Sequence, residues 1–294
     1  MNEVSVIFNP VAGRGRLLRQ RCDLERTAAR LGLTIDWWPT QAPGHATELA
    51  RRAADLGAPL VFAFGGDGTY NEVARGLHGT DTSIGLLPGG TSSVLAYEFE
   101  IPRRADRALA ALIAGHDREV RVGRTDHGDL FLLMLSVGPD SVILQRLPGW
   151  MKRRGGKVGV TAQALVEFVR GDLPSVRVTA DEWSETGGWM IAGNSRFYGG
   201  PYRATPGADP FAPDLEIVVQ RGVGRASAIP FFFSIPSGRH LARSDVVRRS
   251  VSRIRVESSA GSASVPYQVD GDPVGTLPVE AWIDPRPLKV RLPS

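Results

Sequence analysis

Three apolar segments among the first ninety residues each end in a turn of small residues, and each turn leads into a helix-like segment. The apolar segments are residues 4–8, 60–63 and 84–88, and the turns that follow are residues 9–15, 64–69 and 89–93. Strands that alternate with helices are typical of a parallel α/β layer. Ligands bind at the carboxyl ends of the strands in such a sheet. The first part of the chain is therefore predicted to be an α/β domain with a ligand site at that edge.

The second of these turns carries the most specific chemistry. It places Gly65, Gly66 and Gly68 around Asp67, directly behind a buried strand. Glycines let backbone N–H groups approach a polyphosphate, and a carboxylate can organise its metal ion. The turn indicates a nucleotide-using enzyme. The alternative is an ordinary turn in which Asp67 caps the following helix.

The pattern of the chain changes near residue 120. Strand-like segments separated by turn residues then dominate, and only residues 158–169 look convincingly helical; the segments are 130–137, 176–179, 189–192, 215–219, 251–256 and 265–269. We predict a mainly antiparallel, β-sandwich-like second domain. The run Phe231–Phe232–Phe233 fits core packing or an acyl channel, with core packing as the default.

Composition limits the classes of partner. The net charge is only +4, and the basic segment lacks aromatic interleaving, so a nucleic-acid partner is not expected. No apolar run approaches the ~20 residues of a membrane span, and a single cysteine, Cys22, fits a cytoplasmic location. The basic segment 145–157 surrounds Trp150 and suits either an anionic membrane surface or a solvated loop. Peripheral contact with the inner face of the membrane is left open, and the oligomeric state is not readable.

Several motifs together resemble the diacylglycerol kinase and sphingosine kinase family of lipid kinases. They occur in the family's order and at about its spacing along essentially the whole chain. They are Asn9–Pro10 with Gly13, Thr40 before Gly44–His45–Ala46, Gly65 to Asn71, Pro88 to Thr91, Gly138–Pro139–Asp140, Asn194 with Gly199–Gly200, Gly238–Arg239–His240 and Asp270–Gly271–Asp272.

The resemblance implies an α/β nucleotide-binding domain of residues 1–120, completed by residues 287–294, and a β-rich lipid-substrate domain of residues 121–286. It implies transfer of the γ-phosphoryl group of ATP, with Mg²⁺, to the hydroxyl of diacylglycerol or a related lipid alcohol, as in phospholipid biosynthesis. Asp67 and Asp272 are the implied catalytic residues, with Asp272 as the base, and Asp140 orients the substrate or the base. The implied nucleotide contacts are Asn9, Gly13, Thr40, Gly65, Gly66, Asp67, Gly68, Thr69, Asn71, Glu72, Gly90 and Thr91.

Three positions depart from the family pattern. The family usually has glutamate at Asp272 and asparagine at Ser93, and many relatives have Asp-Gly where this chain has Ala212–Pro213. We therefore assign no metal residue in the 206–216 loop. Two alternatives stay open: an NAD kinase-like enzyme, which shares the Gly-Gly-Asp-Gly turn, and a catalytically weak protein that binds nucleotide or lipid.

Overall fold

The computed structural model describes residues 3–10, 16–90, 93–146, 173–259 and 264–294. The chain divides into two compact units. The first comprises Met1–Val122, Gly199–Pro201 and Asp284–Ser294, and the second comprises Gly123–Tyr198 and Tyr202–Ile283. The predicted helix at 158–169 and residues 147–157 of the basic segment lie outside the described residues.

Strands and helices alternate in the first unit. Its elements in chain order are β1 (Glu3–Phe8), α1 (Arg16–Arg30), β2 (Thr34–Pro39), α2 (His45–Asp55), β3 (Leu60–Gly65), α3 (Asp67–Leu77), β4 (Ser83–Pro88), α4 (Val94–Glu98), α5 (Ala105–Ile113) and the start of β5 (His116–Thr125). Residues of β3 and β4 are buried along their whole length. Such continuous burial is expected of parallel strands that are covered on both faces.

The four strands β2, β1, β3 and β4 form a parallel sheet in that order. Val6 pairs with Phe62, and Phe62 pairs with Gly85. Val290, close to the end of the chain, pairs in parallel with Ile84 of β4. Because the strands run in the same direction, the turns after β1, β3 and β4 lie at one edge of the sheet.

The second unit is mostly strand. Its elements are β6 (Leu130–Phe131), β7 (Met134–Val137), α6 (Pro139–Arg146), β8 (Val176–Ala180), β9 (Trp183–Gly187), β10 (Trp189–Gly193), β11 (Phe197–Tyr198), β12 (Tyr202–Arg203), β13 (Leu215–Gln220), α7 (Arg225–Ser234), a 3₁₀ helix (Arg239–Ala242), β14 (Val246–Val251), β15 (Arg253–Ser258), β16 (Pro266–Val269), β17 (Asp272–Thr276) and β18 (Val279–Leu292), whose residues from Asp284 onward belong to the first unit.

Two antiparallel layers enclose the core of this unit. One layer has the order β14-β13-β10-β7-β16-β17, and the other runs from β9 through β8 and β15 to the first residues of β18. Their apolar side chains, including Phe131, Leu135, Ile217, Ile254 and Tyr267, form one buried cluster. The predicted fold class, an α/β domain followed by an antiparallel β-sandwich-like domain, is confirmed.

Two local expectations are wrong. The 130–137 segment is two strands rather than one, because the N–H groups of Leu132, Leu133 and Met134 bond to the side chain of Asp270. The second unit also contains the helices α6 and α7, although residues 158–169 were its single predicted helix. The sequence of α7 did not indicate a helix, because its residues are mostly apolar, without a polar face, and because Pro230 lies within it.

Candidate active site

Four loops, which follow β1, β2, β3 and β4, meet at the carboxyl edge of the parallel sheet in the first unit. The N–H groups of Gly89 and Gly90 both donate to the carbonyl oxygen of Gly65, each over 2.8 Å. Asn9 donates its N–H to Phe64 O over 3.4 Å, and Thr40 donates to Phe8 O over 2.9 Å. The structure therefore brings together the sequence-predicted residues Asn9, Thr40, Gly65, Gly66, Asp67 and Gly90.

The two glycine loops approach so closely that side chains would not fit between them. Between the loops, a Cβ atom at Gly90 would lie 2.6 Å from the Cα of Gly66. Within the loop after β3, a Cβ atom at Gly65 would lie 2.5 Å from Oγ1 of Thr69. The first of these contacts is with backbone, which cannot rotate away. Because the Gly66–Gly90 pair has no side chains, the start of α3 stays uncovered at the sheet edge, where a phosphate can approach its first backbone N–H groups.

Asp67 links the two glycine loops. It is the first residue of α3, and its Oδ1 accepts the N–H of Leu95 over 3.2 Å. Burial raises the pKa of the Asp67 carboxyl, while the N–H groups of Val94 and Leu95 act in the opposite direction. Asp67 is therefore a helix cap, but of α4 on the neighbouring loop rather than of the helix it begins. This contact fixes its carboxylate beside the loop that ends in Gly90.

The remaining predicted residues of this loop have different surroundings. Thr69 and Asn71 are buried in the first turns of α3, and Gly68 is exposed. Glu72 accepts the N–H of Ala46 over 3.2 Å, and its carbonyl accepts the hydroxyl of Thr47 over 2.8 Å. Glu72 therefore holds the start of α2, which follows the Thr40 loop. Gly13 and Thr91 lie outside the described residues.

In the second unit, Asp270 and Asp272 occupy one hairpin and have different environments. Asp270 and Gly271 have φ values of 51° and 91°, and Val269 pairs with Asp272 across the turn. This is the two-residue turn for which Asp-Gly is favoured. Asp270 accepts the N–H groups of residues 132, 133 and 134 over 2.7, 2.9 and 2.8 Å, which makes it the anchor of the hairpin. Asp272 begins β17 and is exposed.

A buried polar network connects Asp140 with this hairpin. Asp140 is the second residue of α6, and its Oδ2 accepts the hydroxyl of Tyr198 over 3.0 Å and the amide of Gln268 over 3.3 Å. The Oε1 atom of Gln268 accepts the N–H of Gly271 over 2.7 Å. Burial raises the pKa of the Asp140 carboxyl and, with the charge of Asp140 close by, that of the Tyr198 hydroxyl. Gln268 thus bridges Asp140 to the residue before Asp272.

Sequence reasoning missed Gln268 and Tyr198. Gln268 stands two residues before Asp270, and Tyr198 directly precedes the Gly199–Gly200 motif. An amide in a short apolar strand, Pro266–Val269, was the available signal, because a buried polar side chain needs a partner. The partner, Asp140, is 128 positions away in the chain and could not be named.

The donors in the first unit suit a nucleotide and a single Mg²⁺ ion. Mg²⁺ is usually held by one or two carboxylates together with phosphate oxygens and water, and Asp67 supplies one carboxylate beside the glycine loops. Among the described residues, there is no group of three or more His, Cys, Asp or Glu side chains that could hold a metal ion by itself. In the 206–216 loop, Glu216 accepts the N–H of Gly207 over 2.6 Å and lies 3.6 Å from Nε of Arg248, so protein donors already satisfy that carboxylate.

Comparison with known proteins finds two family models that match successive parts of the chain. The model of the diacylglycerol kinase catalytic domain matches residues 3–125, and the model of the YegS C-terminal NAD kinase beta sandwich-like domain matches residues 134–292. The second match covers more than half of the chain. The chain belongs to the family of diacylglycerol kinases and YegS-like lipid kinases. Enzymes of this family are phosphotransferases with an alcohol group as acceptor.

Individual members of the lipid kinase family align over most of the chain. A diacylglycerol kinase of Mycobacterium tuberculosis is 25% identical over 100% of this chain and 96% of its own length. The Probable lipid kinase YegS of Salmonella newport is 30% identical over 69% of each chain. A crystal structure of a diacylglycerol kinase from Bacillus anthracis has a TM-score of 0.73 at 17% identity, covering 99% of this chain and 97% of that one, which shows the shared fold. Within the described residues, no helix is both long and apolar enough to cross a membrane.

Proposed function

We propose that this protein is an ATP-dependent lipid kinase that transfers the γ-phosphoryl group to the hydroxyl of diacylglycerol or a related lipid alcohol. The observation that carries the proposal is the Gly66–Gly90 contact with Asp67 bonded across it. Phosphoryl transfer depends mainly on positioning and charge neutralisation. The close approach of the two loops supplies both, through the backbone N–H groups at the start of α3 and one fixed carboxylate.

The residues of the first unit would bind and orient the nucleotide. Gly65, Gly66 and Gly90 offer backbone to the phosphates, and Asn9 and Thr40 provide polar groups at the same sheet edge. Gly68, Thr69, Asn71 and Glu72 complete the proposed nucleotide-binding set in α3. The resemblance adds Gly13 and Thr91, which lie outside the described residues. Mg²⁺, held through Asp67, would neutralise phosphate charge.

The hairpin of the second unit would supply the base. The lipid oxygen forms a bond to the γ-phosphorus, the bond from that phosphorus to the bridging oxygen of ADP breaks, and the hydroxyl proton passes to the carboxylate of Asp272. Exposure of Asp272 leaves it accessible to a substrate hydroxyl. Asp270 and Gln268 position the turn, and Asp140 anchors Gln268 from α6.

A lipid substrate requires the protein to meet a bilayer from one side. A cytoplasmic location with peripheral contact at the inner face of the membrane is therefore part of this proposal. The absence of a membrane-crossing helix among the described residues agrees with contact from outside the bilayer.

Label transfer from γ-labelled ATP tests the proposal. The protein is incubated with Mg²⁺ and mixed micelles that contain diacylglycerol, a sphingoid base or another lipid alcohol, with NAD present in the same reaction. Label in a phospholipid supports the proposal, and label in NADP favours the NAD kinase-like alternative. Binding of ATP without transfer to any acceptor would favour a binding protein.

Matched variants make the result specific. Asp272→Asn should lose transfer, whereas Asp181→Asn should retain it, because Asp181 is likewise an exposed aspartate of a hairpin in the second unit, between β8 and β9, but lies outside the proposed site. Equal activity of the two variants would remove Asp272 from the mechanism.

A further inference from the structure

Exposed apolar side chains are concentrated on one helix of the second unit. Eight large apolar side chains are exposed among the described residues; three of them, Ile229, Phe232 and Phe233, lie in α7, and a fourth, Val223, lies two residues before it. Phe232 is 47% exposed and Phe233 is 70% exposed. Apolar side chains scattered singly over a surface need no explanation, but a contiguous group indicates contact with another body.

The geometry of α7 places these residues on its outer face. Ile229, Phe232 and Phe233 have the i, i+3, i+4 spacing of one helix face. The opposite face packs inward, where Phe231 is fully buried and its ring meets that of Trp189 at 5.3 Å. Phe232 stacks on Trp189 at 6.2 Å and contacts Phe233. The helix is therefore anchored by one apolar face and presents a second one to solvent.

Arginines flank the outer face on both sides in the sequence. Residues 217–244 contain four arginines and no acidic residue. Arg221 pairs with Glu185 and Arg243 pairs with Asp245. Arg225 begins α7 and is exposed, and Arg239 begins the 3₁₀ helix that follows. Within the described part of the chain, Arg239 has no ion-pair partner.

An apolar helix face bordered by arginines suits the surface of an anionic bilayer. The apolar side chains enter the boundary of the headgroups and acyl chains, and the guanidinium groups stay with the anionic headgroups. A second copy of the chain suits this face less well, because a two-fold contact would bring the arginines of both copies together.

We propose that the outer face of α7, formed by Ile229, Phe232 and Phe233 and bordered by Arg225 and Arg239, docks the protein on anionic lipid bilayers. The inference rests on the proposed function to the extent that a lipid substrate requires a membrane partner. It assigns that contact to a surface formed entirely by the second unit.

Sedimentation with lipid vesicles tests docking without any turnover. Wild-type protein is mixed, without ATP, with vesicles of equal parts phosphatidylglycerol and phosphatidylcholine or of phosphatidylcholine alone. The wild type should partition onto the anionic vesicles. Phe233→Ser should weaken this partition about tenfold and Arg239→Gln about fivefold, as expected for one inserted ring and one headgroup contact.

Leu56→Ser is the matched control, because Leu56 is 69% exposed at the end of α2 in the first unit. It should bind anionic vesicles as the wild type does. Equal loss in Phe233→Ser and Leu56→Ser would overturn the proposal, as would wild-type protein that sediments with neither vesicle. A wild-type dimer that Phe233→Ser dissociates, with vesicle partition unchanged, would assign the face to self-association and also overturn it.

Transfer of label in detergent micelles without anionic lipid separates this inference from the proposed function. Wild type and Phe233→Ser should be equally active there, because the detergent replaces the bilayer. Vesicle binding that depends on Phe233 in a protein without kinase activity would support docking while the proposed function fails. Kinase activity in a protein whose vesicle binding ignores Phe233 would reject docking alone.

Discussion

We predict that substitutions at the two aspartates of the β16–β17 hairpin affect different properties. Substitution of Asp270 should lower the stability of the protein, and substitution of Asp272 should lower its catalytic rate. Asp270 accepts three backbone N–H groups over 2.7 to 2.9 Å, and Asp272 is exposed at the start of β17. Asp270→Asn keeps one acceptor oxygen for residues 133 and 134 but places an NH₂ group against the N–H of Leu132. The variant therefore loses one charge-assisted bond and weakens two others.

The magnitude follows from that count. A hydrogen bond to a charged group contributes about 1.5–3 kcal/mol, and a buried donor left without an acceptor has a similar cost. We expect Asp270→Asn to lower the free energy of unfolding by about 2–4 kcal/mol. Asp272→Asn should change it by no more than about 0.5 kcal/mol, as for ordinary surface substitutions, while kcat falls about 10²- to 10⁴-fold.

The assay combines urea unfolding with label transfer normalised to folded protein. Asp181→Asn serves as the control for both readouts. The reasoning fails if Asp270→Asn is as stable as the wild type, or if Asp272→Asn retains kcat. It also fails if Asp272→Asn loses activity only in proportion to a loss of folded protein.

Three further predictions concern the buried groups. Asp67→Ala should abolish Mg²⁺-dependent transfer and, by removing the cap of α4, lower the free energy of unfolding by about 1 kcal/mol; initial rates over an Mg²⁺ titration check this, and an unchanged Mg²⁺ dependence would contradict it. Gln268→Leu removes the link from Asp140 to the turn and should lower kcat about tenfold with little change in KM for ATP; a change confined to KM would assign Gln268 to binding. Burial lowers the pKa of His240, whose Nε2 forms a hydrogen bond with Ala204 O at 2.9 Å. The stability that neutral His240 contributes is therefore present above the pKa of an unfolded histidine, about 6.5, and is lost as the pH falls through the folded pKa. His240→Gln should flatten the fall in melting temperature between about pH 7 and pH 5, and parallel wild-type and variant curves would exclude this role.

The α/β layer could be predicted from local sequence patterns. Apolar strands such as Leu60–Gly65, followed by glycines and a helix, specify both the element and the edge at which its loop lies. The separate roles of Asp270 and Asp272 could not be predicted in this way, since the two residues belong to one Asp-Gly-Asp turn. What distinguishes them is a tertiary contact: the Asp270 carboxylate accepts the N–H groups of residues 132–134, which lie more than 130 positions earlier in the chain.

Long-range contacts also explain what was missed at the other sites. Asp67 was expected to cap its own helix if it capped any, whereas its partner, Leu95, lies 28 positions further along. The Phe231–Phe233 run was expected by default to be core, and only Phe231 is fully buried. Period and composition identify an apolar segment, but tertiary packing decides which of its faces is covered.

The most direct test of the central claim is transfer of label from γ-labelled ATP to diacylglycerol in mixed micelles with Mg²⁺, analysed by separation of the lipid product. If the protein is a lipid kinase that uses the Gly66–Gly90 loops and Asp272, the wild type and Asp181→Asn should produce labelled phosphatidic acid. Asp67→Ala and Asp272→Asn should produce none above background. Label found only in NADP, or equal transfer by Asp67→Ala and the wild type, would contradict it.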